Sequence, residues 1–128
     1  VVICPSNPYL SIDPILAIPG WRSALRSSEA PVIAVSPIVG GQAVKGPTAK
    51  IMRELGVEVS PLSVARHYAE FLDGLVLDEA DAALASSFDI PVRVAPTLMR
   101  RLADKERLAS EVLEFARCLR DAKRPDSP

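Results

Sequence analysis

Four short apolar runs recur along the chain, each followed by a stretch that suits a helix. They lie at 1–4 (VVIC), 32–35 (VIAV), 74–78 (GLVLD) and 91–95 (PVRVA). None of them shows a clean polar alternation, which is the pattern of strands covered on both faces. Strands that alternate with helices in this way imply a parallel sheet with helices packed on it. The fold class read from the chain is therefore α/β, a Rossmann-like parallel sheet with helices on both faces. In such sheets ligands sit beyond the carboxyl ends of the strands.

The helical stretches carry their own punctuation. Asp13 followed by Pro14 reads as an N-cap and a first-turn proline. Residues 21–27 add a further turn or two after Pro19-Gly20. Ser60-Pro61 opens another helix, whose apolar side carries Val64, Tyr68, Phe71 and Leu72. Residues 80–87 read as a short helix, and 57–59 as a brief strand or connection. Asp104 reads as the cap of a long final helix with an apolar stripe of Leu108, Val112, Leu113, Phe115, Ala116 and Leu119. Residues 1–122 are expected to form the folded unit, and 123–128 a polar tail.

The stretch 31–55 (PVIAVSPIVGGQAVKGPTAKIMREL) combines several chemical features. An apolar strand breaks at Ser36-Pro37 and again at Gly40-Gly41. Lys45 and a Gly46-Pro47 step follow, then Ile51, Met52 and Leu55 at helical spacing, stopped by Gly56. Strand, glycine turn, lysine and helix start place backbone N–H groups and one cation where an anion could sit. The pattern is neither a Walker A loop nor G-x-G-x-x-G, and an ordinary strand-to-helix connection reads the same way.

Three groups fall at strand ends: Ser6 with Asn7, Gly40 and Gly41 with Lys45, and Asp78 with Glu79 and Asp81. Ser6 and Asn7 can bond a base or sugar edge, or simply close their own turn. Ser11 and Ile12 lie near a helix start, where free N–H groups can meet a phosphate or be capped locally. The acidic group can hold Mg²⁺ or cap the helix that follows it. His67, the one histidine, has no nucleophile that the sequence places beside it, so a packing or surface role is expected.

Bulk composition narrows the class. The 128 residues are enough for one domain with a real core, at 48% hydrophobic and 24% charged. A net charge of −1 argues against a nucleic-acid partner. No apolar run nears the ~20 residues that span a bilayer, and no signal-peptide layout is present, so no membrane partner is expected. Cys4 and Cys118 lack metal or redox spacing and are expected as free buried thiols in a reducing, cytoplasmic setting. The 12 prolines mostly stand at the ends of apolar runs. Val1 already lies in a strand, so the chain is expected to be an incomplete part of a larger domain.

Five blocks resemble the 2-phospho-L-lactate transferases of coenzyme F-420 biosynthesis. They are 4–15 (CPSNPYLSIDPI), 36–47 (SPIVGGQAVKGP), 52–56 (MRELG), 71–81 (FLDGLVLDEAD) and 97–100 (TLMR). They occur in the family's order across most of residues 1–120. The resemblance implies transfer of a phospholactyl or phosphoenolpyruvyl group from a guanosine diphosphate-linked donor to the hydroxyl of a deazaflavin precursor, with release of GMP. It implies Mg²⁺ as cofactor, expected mainly through an amino-terminal part of the family that these residues do not match. It places Ser6, Asn7, Ser11 and Ile12 near the guanosine nucleotide, and Gly40, Gly41 and Lys45 near its phosphates, with Lys45 as the catalytic cation. No residue of this chain is assigned to the metal. The resemblance makes a homodimer a candidate assembly, and the fragment alone is expected to be inactive. Two other classes stay open: a non-enzymatic regulatory relative that binds a nucleotide or nucleotide sugar, and a structural piece that only pairs with another chain.

Overall fold

The computed structural model describes residues 1–123. Four strands form one parallel sheet: β1 (Val2–Ile3), β2 (Ile33–Val35), β5 (Gly74–Leu77) and β6 (Val92–Val94), in the spatial order β1-β2-β5-β6. Ile33 pairs with both Val2 and Gly74, and Leu75 pairs with Val92. Between β2 and β5 lies an antiparallel hairpin, β3 (Ile38–Val39) and β4 (Gln42–Ala43).

The expected parallel sheet is present, with helices on both faces. On one face pack α1 (Asp13–Leu16), α3 (Thr48–Glu54) and α4 (Pro61–His67), while α2 (Trp21–Arg26) lies at the margin with no buried residue. Leu16, Met52, Val64, Tyr68, Phe71 and Leu72 meet Val32, Ala34, Leu75 and Leu77 there. On the other face lies α5 (Leu102–Lys123), which sets Leu108, Val112, Phe115 and Leu119 against Ile33, Val35, Val76 and Ala95. Alternate residues of β2 and β5 thus serve opposite cores, as the pleat requires. The central strands are buried throughout, which accounts for their unbroken apolar character.

The outer strands differ from expectation. Val1 and Val2 are 53% and 44% exposed, and Val94 is 37% exposed. These strands are sheet edges in the described residues, so an apolar run alone did not distinguish edge from centre. Arg93 on β6 stays in place by bonding Glu111 at 3.1 Å and lying 5.6 Å over the Phe115 ring. Cys4 and Cys118 are free, as expected, but exposed rather than buried. Residues 57–59 form no strand, and the stretch after β5 is a 3₁₀ helix, Glu79–Ser87.

Two caps also move. The first helical stretch begins not at Asp13 but at Pro8, as a π turn (Pro8–Ile12) that runs into α1. Asn7 is its cap: Oδ1 accepts the N–H groups of Tyr9 at 3.0 Å and Leu10 at 3.1 Å. Asp104 lies inside α5, where Oδ2 accepts the N–H groups of Arg100 and Arg101, each at 2.9 Å. It reaches back to the helix start instead of preceding it. Ser60 and Pro61 open α4 as the pattern indicates, with Ser60 Oγ accepting Leu62 N–H at 3.2 Å. The predicted division at 122/123 falls in the last turn of α5, and residues 124–128 of the expected tail lie outside the described residues. No helix among the described residues is long and apolar enough to cross a membrane.

Candidate functional site

A cavity of about 400 Å³ opens beyond the carboxyl ends of the parallel strands. Its walls come from separate segments of chain. After β1 come Pro5, Ser6, Asn7, Leu10 and Ser11, and after β2 come Ser36 and Pro37. The loop from β4 to α3 gives Val44, Lys45, Gly46, Pro47 and Thr48, and the segment after β6 gives Thr97 and Met99. This is the position in which open α/β sheets hold ligands, and the volume falls in the range of small-molecule pockets.

Four of the residues singled out from sequence meet here: Ser6, Asn7, Ser11 and Lys45. The bend bearing Asn7 is fixed by the Asn7 cap and by the Ser6 N–H, which bonds Cys4 C=O at 2.7 Å. With Asn7 Oδ1 held by two backbone donors, the orientation of the amide is set. Its Nδ2 is buried and has no hydrogen-bond partner among the described residues. A buried donor without an acceptor costs about 1–3 kcal/mol, which marks the amide as a group under strain beside the cavity. Gly46, at φ +68°, turns the chain between Lys45 and α3, a conformation that few side chains tolerate. Lys45 is exposed and makes no ion pair among the described residues, so its charge is free to meet an anion.

Three other expected site residues are not in the cavity wall. Gly40 and Gly41, at φ +57° and +74°, are the two turn residues of the β3–β4 hairpin. That geometry is a type I′ turn, for which paired glycines are suited. Gly40 N–H is already taken by Asp81 Oδ2 at 3.0 Å. Ile12 packs its side chain against the core on the α1 face.

Asp78 and Asp81 of the acidic group are engaged in bonds within the fold, while Glu79 is exposed. Asp78 Oδ1 accepts Ala80 N–H at 3.0 Å, and Oδ2 accepts Thr97 N–H at 2.8 Å and Thr97 Oγ1–H at 3.0 Å. Burial pushes the Asp78 carboxyl up, but the bonds from Ala80 and Thr97 outweigh it and hold the group below its ordinary 3.8. Asp78 thereby caps the 3₁₀ helix and ties down the Thr97 segment, one wall of the cavity. The cavity wall itself carries no carboxylate. No group of three or more His, Cys, Asp or Glu among the described residues is placed to hold a metal ion. The cavity wall of these residues thus offers Mg²⁺ no carboxylate ligand of its own.

His67 is a packing residue with a specific partner: Nε2 lies 2.7 Å from Asp13 Oδ1. Burial, then the Asp13 carboxylate, then Tyr9, push the neighbouring Tyr68 phenol well above its ordinary 10.0. Sequence reasoning did not single out Thr48, Thr97 or Met99 for the cavity. The available signal was their position just past strand ends or the Gly46-Pro47 turn.

Residues 1–104 match the family model for the 2-phospho-L-lactate transferase CofD. The chain is 41% identical over 115 residues to a 2-phospho-L-lactate transferase of Methanocaldococcus jannaschii, covering 90% of this chain and 36% of that protein. It is 49% identical over 89 residues to the enzyme of the same name from Methanosarcina acetivorans, covering 70% of this chain and 28% of that one. It is 38% identical over 120 residues to a phosphoenolpyruvate transferase of Streptomyces griseus, covering 91% of this chain and 38% of that one. The chain thus spans under two fifths of the length of these relatives.

Proposed function

The chain belongs to the 2-phospho-L-lactate transferase CofD family, and from that premise we propose that its cavity holds the guanosine nucleotide part of a diphosphate-linked donor. The enzyme it belongs to passes a phospholactyl or phosphoenolpyruvyl unit to the hydroxyl of a deazaflavin precursor. In that reaction the acceptor oxygen bonds to the phosphorus that carries the lactyl or enolpyruvyl group. The diphosphate bridge breaks, GMP departs, and the hydroxyl proton is released.

Such transfers depend mainly on positioning and on neutralising phosphate charge. Ser6, Asn7 and Ser11 supply hydroxyl and amide groups for a base or sugar edge. Lys45 supplies the cation at the phosphates from this part of the enzyme. The observation that carries the reading is the buried, unpartnered Asn7 Nδ2 in the same cavity wall as Lys45. Isothermal titration calorimetry with GMP tests it: saturable binding is expected, and absence of heat at millimolar GMP contradicts it. Binding of the deazaflavin precursor by the full-length enzyme separates a transferase from a regulatory nucleotide binder.

One observation favours a second reading, in which the chain serves only to pair with another polypeptide. The outer edge of β1 is unpaired among the described residues, and Val1 and Val2 are exposed beside it. That reading expects no nucleotide affinity, so the same calorimetry decides between the two.

A further inference from the structure

The π turn Pro8–Ile12 forms part of the cavity wall through Leu10 and Ser11. Single π turns are rare and recur at functional sites. Here both ends are tied by side chains. Asn7 Oδ1 holds the start, through the N–H groups of Tyr9 and Leu10. At the other end Asp13 Oδ1 lies 2.7 Å from His67 Nε2, a contact made across 54 residues of chain. Tyr9, from the turn itself, sets its ring 4.9 Å from the His67 ring at 66°. On its other side His67 meets Tyr68 at 5.2 Å and 75°, and Tyr68 is 1% exposed in the core. The imidazole therefore joins the turn to the rigid part of the molecule.

We propose that the Asp13–His67 pair is a positioning device, which sets the Leu10–Ser11 wall and so governs nucleotide affinity without touching the nucleotide. The proposal rests on the cavity being a nucleotide site. Neither residue lines the cavity. Their side chains are 32% and 23% exposed, and a partly exposed pair of this kind adds little to global stability. Its effect is local, on where Ser11 points. Small misplacements of a binding group cost affinity or rate out of proportion to the energy of the contact that held it.

The test uses His67→Ala, His67→Gln and Asp13→Ala with GMP as the probe, read by calorimetry, thermal melting, backbone amide NMR shifts and amide hydrogen exchange. His67→Ala is expected to weaken GMP binding about tenfold and to lower the melting temperature modestly through the lost Tyr9 and Tyr68 ring contacts. The amide shifts of Tyr9, Leu10 and Ser11 should move while those of Leu75 and Val76 stay. His67→Gln, whose side-chain amide can still donate to Asp13, should bind within about threefold of the unsubstituted chain. A His67→Ala protein that binds GMP normally, or a His67→Gln protein as weak as His67→Ala, overturns the proposal. If His67→Ala does not fold, Asp13→Ala carries the comparison: unaltered affinity and unaltered 9–11 shifts overturn it. If the unsubstituted chain binds no GMP, the nucleotide reading falls by itself. The positioning role is then read from hydrogen exchange of the Tyr9, Leu10 and Ser11 amides: faster exchange in His67→Ala that His67→Gln restores supports it, and unchanged exchange overturns it.

Discussion

Thr97 gives Asp78 Oδ2 two hydrogen bonds, one from its backbone N–H at 2.8 Å and one from its hydroxyl at 3.0 Å. The same carboxylate caps the 3₁₀ helix through Ala80 N–H. An asparagine at this position turns one acceptor into a donor that faces another donor. Asp78→Asn should therefore destabilise the fold by about 1–3 kcal/mol at neutral pH, measured by urea unfolding.

The same residue predicts a pH dependence. The folded Asp78 carboxyl titrates below the ordinary 3.8 of the unfolded chain. Its contribution is complete above 3.8 and is lost as the pH falls through the lower, folded value. The stability gap between the parent chain and Asp78→Asn should be constant from pH 7 to 5 and shrink in acid below 3.8. A gap that closed near neutrality would contradict the assigned bonds.

Gly74 sits under α5 with no room for a side chain. An added Cβ would lie 2.7 Å from Leu119 Cδ1 and 2.9 Å from Phe115 Cε1 and Cζ. Phe115 is itself held between the sheet and Arg93, so the ring has little freedom to move. Gly74→Ala should cost about 1–3 kcal/mol by overpacking, seen as a lower urea midpoint.

Asn7 separates folding from binding. Asn7→Asp keeps the oxygen that caps the π turn and removes the unpaired Nδ2 donor. Its second oxygen takes the buried place of Nδ2, so the protein should melt somewhat below the parent chain, while GMP affinity falls at least about tenfold. Asn7→Ala removes both functions and should lose about 1 kcal/mol of stability as well.

Lys45 is exposed, so Lys45→Ala should leave stability within about 0.5 kcal/mol. In a full-length enzyme carrying this segment, turnover should fall far more than stability does. Equal losses in both would assign Lys45 to packing.

The sequence made the central sheet legible because β2 and β5 are buried on both faces, and nothing but an apolar run serves there. It was less informative at β1 and β6, where an apolar run also suits an edge. The Asp13-Pro14 step looked like a helix start, but Asn7-Pro8 offered the same chemistry six residues earlier, and the Asn7 cap on the Tyr9 and Leu10 N–H groups fixes the longer element. Gly40-Gly41 was ambiguous for a physical reason: positive φ serves a hairpin as well as a phosphate loop, and only the Ile38–Ala43 pairing decides between them. That Ser6, Asn7 and Lys45 would share one crevice with Ser11 was legible because Ser6 and Asn7 follow β1, Ser11 lies in the turn they open, and Lys45 follows the β3–β4 hairpin. The Thr97 wall depends on a bond to Asp78 across 19 residues, which no local pattern announces.

The most direct test of the cavity assignment is an amide NMR titration of the chain with GMP. Shift changes should concentrate at Ser6, Asn7, Ser11, Lys45, Gly46 and Thr48, and leave the β3–β4 turn at Gly40 and Gly41 nearly unmoved. Changes centred elsewhere, or none at saturating GMP, would contradict the account.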